Sequence, residues 1–127
     1  ATAGKGRNVL PAAAWTILAY RKMNQPARAS AFMTALDSKK VACMKSREIE
    51  FLRGKRSGQD LVAACKSKRD LTFAGTLVGL NLVYSGKTDE GRCYLKRVQT
   101  EGDSALDEYA MAITELSVLE SSRRKAH

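Results

Sequence analysis

The chain has 127 residues, 44% of them hydrophobic, which is enough for one domain with a real core and excludes wholesale disorder. Its formal net charge of +9 is unevenly placed: residues 1–70 carry 15 Lys/Arg against 5 Asp/Glu, and residues 71–127 carry 7 against 8. No apolar run approaches the roughly 20 residues of a membrane span, and three cysteines with the single His127 leave too few ligands for a zinc site.

Two prolines and long stretches of Ala, Leu, Lys, Glu and Arg point to an all-α protein. The chain opens Ala1-Thr2-Ala3-Gly4 without a methionine, as a mature form does after a presequence is removed or as a trimmed chain does. Residues 1–8 are small, basic and patternless, so a flexible arm is expected there, followed by a helical domain over 9–120.

A first helix pair is expected over 11–38. Pro11 suits a first helical position, and Trp15, Ile17 and Leu18 supply one apolar face. The pair turns at Asn24-Gln25-Pro26, and Ala29, Phe32, Met33 and Leu36 then recur at helical spacing. A second pair is expected over 41–68, with Val41, Met44, Ile49, Phe51 and Leu52 before a basic turn, Gly54-Lys55-Arg56-Ser57-Gly58. Leu61, Val62 and Cys65 follow that turn.

The third pair, 71–100, is the clearest. Residues 71–84 are apolar nearly all round, as in a helix packed on both sides; a buried strand competes, but fourteen residues is long for one. Gly75 and Gly79, four apart, have no side chains to hold a neighbour away. Past Ser85-Gly86-Lys87, the next helix carries Tyr94, Leu95 and Val98 on one face, with Asp89 and Glu90 in its first turn. A capping helix is expected over 104–120, opened by Ser104 and Asp107 and striped by Leu106, Tyr109, Ile113, Leu116 and Leu119; the tail 121–127 is expected to fray. Cys43, Cys65 and Cys93 sit among helical apolar positions and read as buried free thiols of a reducing compartment.

The first pair overlays the third without gaps at an offset of 62 residues, two periods of 31. Asn24 falls on Gly86, Ala29 on Gly91, Met33 on Leu95 and Leu36 on Val98. The segment from Gly86 to Gly102 resembles the pentatricopeptide repeat: a turn glycine (Gly86), an acidic pair (Asp89, Glu90), a small residue (Gly91), an aromatic-or-leucine position (Tyr94, Leu95), an apolar position (Val98) and a closing glycine (Gly102). It is similar also to the tetratricopeptide repeat through Gly79, Gly86, Gly91 and Leu95, without the closing proline.

The resemblance, taken over residues 11–120, implies a right-handed α-solenoid of about three helix–turn–helix repeats plus a C-terminal capping helix. It implies an organellar protein, with the mitochondrial matrix expected and the cytoplasm as the alternative. Long pentatricopeptide members read single-stranded RNA near the start of each first helix, where this chain has Ala12, Ala13, Ala14 and Thr76. Short members resemble accessory subunits of mitochondrial assemblies, such as an F1-type ATP synthase or a respiratory complex.

Catalytic signatures are missing from the sequence. Gly4-Lys5-Gly6 is isolated, no HExxH occurs, and Glu48 and Glu50, two apart, point in different directions on a helix. The expected protein is no enzyme and takes no cofactor and no metal. Its candidate partner-binding residues are the basic cluster Arg53, Lys55, Arg56, Lys66, Lys68 and Arg69, which two turn regions of one helix pair would bring to one edge; a solvated basic turn is the alternative. Tyr20 is a candidate partner anchor, with Trp15 better suited to the core. Three readings follow: docking onto protein subunits of a larger complex, binding RNA phosphates as a module or mitochondrial ribosome component, and a tetratricopeptide-like peptide-binding chaperone.

Overall fold

The structure, a computed structural model, describes the backbone of residues 2–125 and the side chains of residues 10–122. It is all-helical, with no strand among the described residues. The chain divides after Leu61 into two compact units.

The first unit opens with α1 (Thr2–Lys22) and α2 (Pro26–Ser38). A 3-10 turn (Ala42–Lys45) and the short helices α3 (Arg47–Leu52) and α4 (Gly58–Ala63) follow, with the division of the chain falling inside α4. Ala14 and Ile17 of α1 and Ile49 of α3 have no exposed surface, and Ala29 of α2 has 1%. Arg21, in the last turn of α1, donates from Nη2 to the carbonyl of Leu52 at 2.6 Å. That places a cation at the C-terminal end of α3, where the helix dipole favours it. Burial lowers the pKa of this guanidinium from its ordinary value.

Two expectations are corrected in this unit. The segment read as an arm is helical from Thr2, and Pro11 lies inside α1 instead of opening it. Proline forgoes one backbone bond and presses on the carbonyl four residues back, but the alanines that follow it are the best helix formers. The second helix pair, expected over 41–68, is replaced by the 3-10 turn and two helices of six residues each. Serine caps and left-handed residues cut the segment up. Lys40 (φ +54°) ends α2 and Gly54 (φ +81°) ends α3. The hydroxyls of Ser46 and Ser57 accept from the N–H groups of Ile49 (3.3 Å) and Asp60 (3.0 Å), starting α3 and α4 afresh.

The second unit is a three-helix unit of α5 (Lys68–Tyr84), α6 (Thr88–Glu101) and α7 (Asp107–Lys125), packed pairwise on one another. Helix α5 is the central element: Leu77 and Val78 are wholly buried, as are Leu95 and Val98 across from them on α6. The approach is so close that a Cβ added at Gly79 would lie 2.6 Å from Leu95 Cδ2. One added at Gly91 would lie 2.6 Å from the carbonyl oxygen of Gly79. Here glycine is required by space.

Two fully buried hydroxyls secure the third helix. Thr72 Oγ1 donates to the Lys68 carbonyl at 2.6 Å and accepts from the Asp103 N–H at 2.7 Å, and Thr76 Oγ1 donates to the Glu108 carbonyl at 3.2 Å. Near the other end of α5 the Tyr84 hydroxyl bonds Glu115 of α7; burial first, then the charge and hydrogen bond of Glu115, push its pKa up to about 12. The start of α7 differs from expectation. Ser104 does not cap it; the carboxylate of Asp103 accepts from the Ala105 N–H at 3.0 Å and shapes the turn, so the helix begins at Asp107. The helix continues to Lys125, through most of the tail expected to fray, while Ala126 and His127 lie outside the described residues.

Four helix ends close in the same way, at Asn24, Lys40, Gly54 and Gly86. Asn24 (φ +58°) and Gly86 (φ +90°) both adopt the left-handed conformation after a helix end. In each case the next N–H reaches back five residues, Gln25 to the Tyr20 carbonyl and Lys87 to the Leu82 carbonyl, both at 2.8 Å. The left-handed residue itself donates to the carbonyl three back, Asn24 to Arg21 and Gly86 to Val83. Both turns are therefore Schellman motifs, with the same bonds at positions 62 apart.

Candidate functional site

The six basic residues expected at one edge divide between the two units, and each group has its own chemistry. In the first unit, Arg53 follows α3, and Lys55 and Arg56 lie in the loop before α4. Arg53 Nη2 holds Asp37 Oδ1 at 2.6 Å and Arg56 Nη2 holds Glu50 Oε1 at 3.4 Å. The Nε atoms of both arginines are shielded from solvent and meet no acceptor among the described residues. Two of the three cations are thus partly engaged within their own unit, while Lys55 is exposed and in no ion pair among the described residues.

The Arg53–Asp37 pair also joins the end of α2 to this loop, which brings in Lys39 and Lys40, both exposed. Sequence reading passed over these two as site residues. The signal was the lysine pair two residues after Asp37, but only the ion pair shows that the end of α2 meets the end of α3.

In the second unit, Lys66, Lys68 and Arg69 surround the start of α5 and are all exposed. The expected assignment to the end of a second helix pair is corrected: Ser67 caps α5 by accepting from the Asp70 N–H at 3.1 Å, so Lys68 and Arg69 belong to the first turn of α5. A groove of about 520 Å³ opens here, lined by Lys66, Ser67 and Lys68, by Val62, Cys65 and Leu71, and by Arg97, Thr100 and Glu101 from the end of α6. Arg69 is outside that lining. Arg97 Nε pairs with Glu101 Oε2 at 3.2 Å.

The other candidates are engaged inside the fold. Tyr20 is half-buried and its ring packs on Phe32, with centroids 6.4 Å apart and planes at 59°. Trp15 is half-buried, and Phe51, at 9% exposure, is core. Of the positions that would read RNA bases in a pentatricopeptide protein, Ala12 is exposed, but Ala13, Ala14 and Thr76 are buried, and Thr76 is committed to Glu108.

No disulfide joins Cys43, Cys65 or Cys93, and they are not uniformly buried as expected. Cys43 and Cys65 are half-covered, and burial pushes the Cys43 thiol up. Cys93 is exposed, because the inward face of α6 is set by Gly91, Leu95 and Val98, and a residue two positions from each of the first two points away.

Among the described residues no three acidic, cysteine or histidine side chains group as a metal site, and no helix is long and apolar enough to cross a membrane. Compared with known proteins, the chain matches no protein-family model, no curated protein and no solved structure.

Proposed function

We propose that this chain is a non-catalytic helical scaffold, an accessory subunit that docks onto protein in a larger mitochondrial assembly such as an F1-type ATP synthase or a respiratory complex. The observation that carries this reading is the burial of Ala13, Ala14 and Thr76. In a repeat protein that reads RNA, residues at these places would present hydrogen-bonding groups to base edges. Here two have none to offer, and the third gives its hydroxyl to a backbone carbonyl. The functional surface that is left is exposed basic charge, which suits an acidic protein face and speeds its capture. The mitochondrial setting rests on the repeat resemblance and on the net charge.

The test is native purification of the tagged protein from its source. Stable, stoichiometric copurification with a large assembly is the expected result; a monodisperse free monomer overturns the reading. A second reading, RNA binding through phosphates alone, is favoured by one observation: Lys55, Lys66, Lys68 and Arg69 are exposed and in no ion pair among the described residues. It predicts, by anisotropy of labelled single-stranded RNA, binding at about 50 mM salt whose affinity falls steeply by about 200 mM.

A further inference from the structure

The groove at the head of α5 combines features that the rest of the basic surface does not. Its floor includes Val62 and Leu71, 3% and 9% exposed, and the cationic residues Lys66, Lys68 and Arg97 also line it. Glu101 lies in the same lining and compensates Arg97, so the two lysines supply the uncompensated charge there. At about 520 Å³ the groove is the size of an ordinary ligand pocket.

We propose that this groove takes a carboxylate-rich peptide segment of a protein partner, one that carries a single aliphatic side chain for the floor. The inference rests on the protein-docking reading and gives that partner a chemistry. Charge complementarity is the argument. Lys66 and Lys68 attract carboxylates, Val62 and Leu71 offer apolar contact, and the Thr100 hydroxyl, which donates to the Lys96 carbonyl at 3.0 Å, can still accept from a peptide N–H. RNA fits the same lining less well. No aromatic residue lines the groove to stack a base.

The experiment titrates the isotope-labelled full chain with the probe peptide acetyl-Glu-Asp-Leu-Glu-Glu-amide at low salt and follows backbone amide shifts. Expected are shifts concentrated in residues 62–71 and 97–101, and binding weakened about tenfold or more by the double variant K66E/K68E. Both lysines are exposed, so the variant keeps its melting temperature. Three outcomes overturn the proposal: no shift in those segments, equal shifts around Lys39, Lys40 and Lys55, or stronger groove shifts with an oligouridylate of matched charge. If the groove fails while copurification succeeds, the docking reading stands without it. If the groove amides respond but no assembly copurifies, the peptide site stands and the accessory-subunit reading falls.

Discussion

The two hairpins, α1–α2 and α5–α6, turn in the same way and pack differently. Their Schellman turns share bonds at positions 62 apart, and Met33 and Leu95 are buried at matching places. Between the helices, however, Gly75, Gly79 and Gly91 in the second hairpin stand where the first has Ala13, Ile17 and Ala29. The comparison separates two determinants. A turn is settled by a few local hydrogen bonds and a residue that tolerates positive φ, whereas the distance between two helices is settled by side-chain volume along the seam.

The third layers differ for a related reason. Helix α7 covers the second hairpin as 19 continuous residues, and Thr72 and Thr76 anchor the chain leading into it. At the matching positions the first unit has Leu10 and Ala14, which offer no hydroxyl. Its cover consists of a 3-10 turn and α3, held by Arg21 at the Leu52 carbonyl.

The sharpest way to break the comparison is at Gly91. Replacement by alanine sets a Cβ 2.6 Å from the Gly79 carbonyl and 3.0 Å from the Val83 nitrogen, and backbone atoms cannot step aside cheaply. Gly91→Ala should therefore lose about 2–3 kcal/mol in urea unfolding, against about 1 kcal/mol of gained helix propensity. The matching Ala29→Gly should cost about 1–2 kcal/mol, from helix propensity and the loss of a buried methyl, because there the larger residue is the one that fits. If either change is neutral or stabilising, the seams do not differ as described.

Thr72→Val comes next. It strips the partly buried Asp103 N–H of its acceptor and should cost about 1–3 kcal/mol, read by thermal melting, with hydrogen exchange rising first around residues 102–108. Smaller changes are expected at the turns. Lys40 holds a left-handed φ of +54° without glycine's freedom, so Lys40→Gly should gain about 1 kcal/mol; Gly86→Ala, at φ +90°, should lose about as much.

A pH dependence is also expected in the second unit. Tyr84 titrates near 10 when unfolded and at about 12 when folded, so its protonated form is favoured by the fold. That stability is fully present below pH 10 and is lost as pH rises through 12. A urea series over this window should show the decline in the parent and a flatter curve in Tyr84→Phe.

Much of the second unit was legible in the sequence. A continuous apolar run has to be buried on all sides, and Gly86 after it marks a helix end. Of the stripe read for α7, Leu116 is buried, but the buried Ala112 was missed and the start was misplaced because Asp103, not Ser104, makes the turn. The first unit was harder. Lys40 gives no sign of positive φ, and nothing local shows that the alanines after Pro11 carry a helix through it. Among the candidate site residues, their basic type and their places beside turns were readable. Their pairing was not, since Arg53 meets Asp37 across sixteen residues and Arg56 meets Glu50 across six.

By itself the sequence determined the helical class, the excess of positive charge before residue 71, and the two hairpin turns 62 apart. These follow from periodicity, composition and local backbone preference, which act within a few residues. Tertiary structure alone decided which cations stay free, which threonines disappear into the core, and that Lys66, Lys68 and Arg97 share one groove. Those outcomes depend on the volume and partners that distant segments bring together, and the order of residues along the chain does not state them.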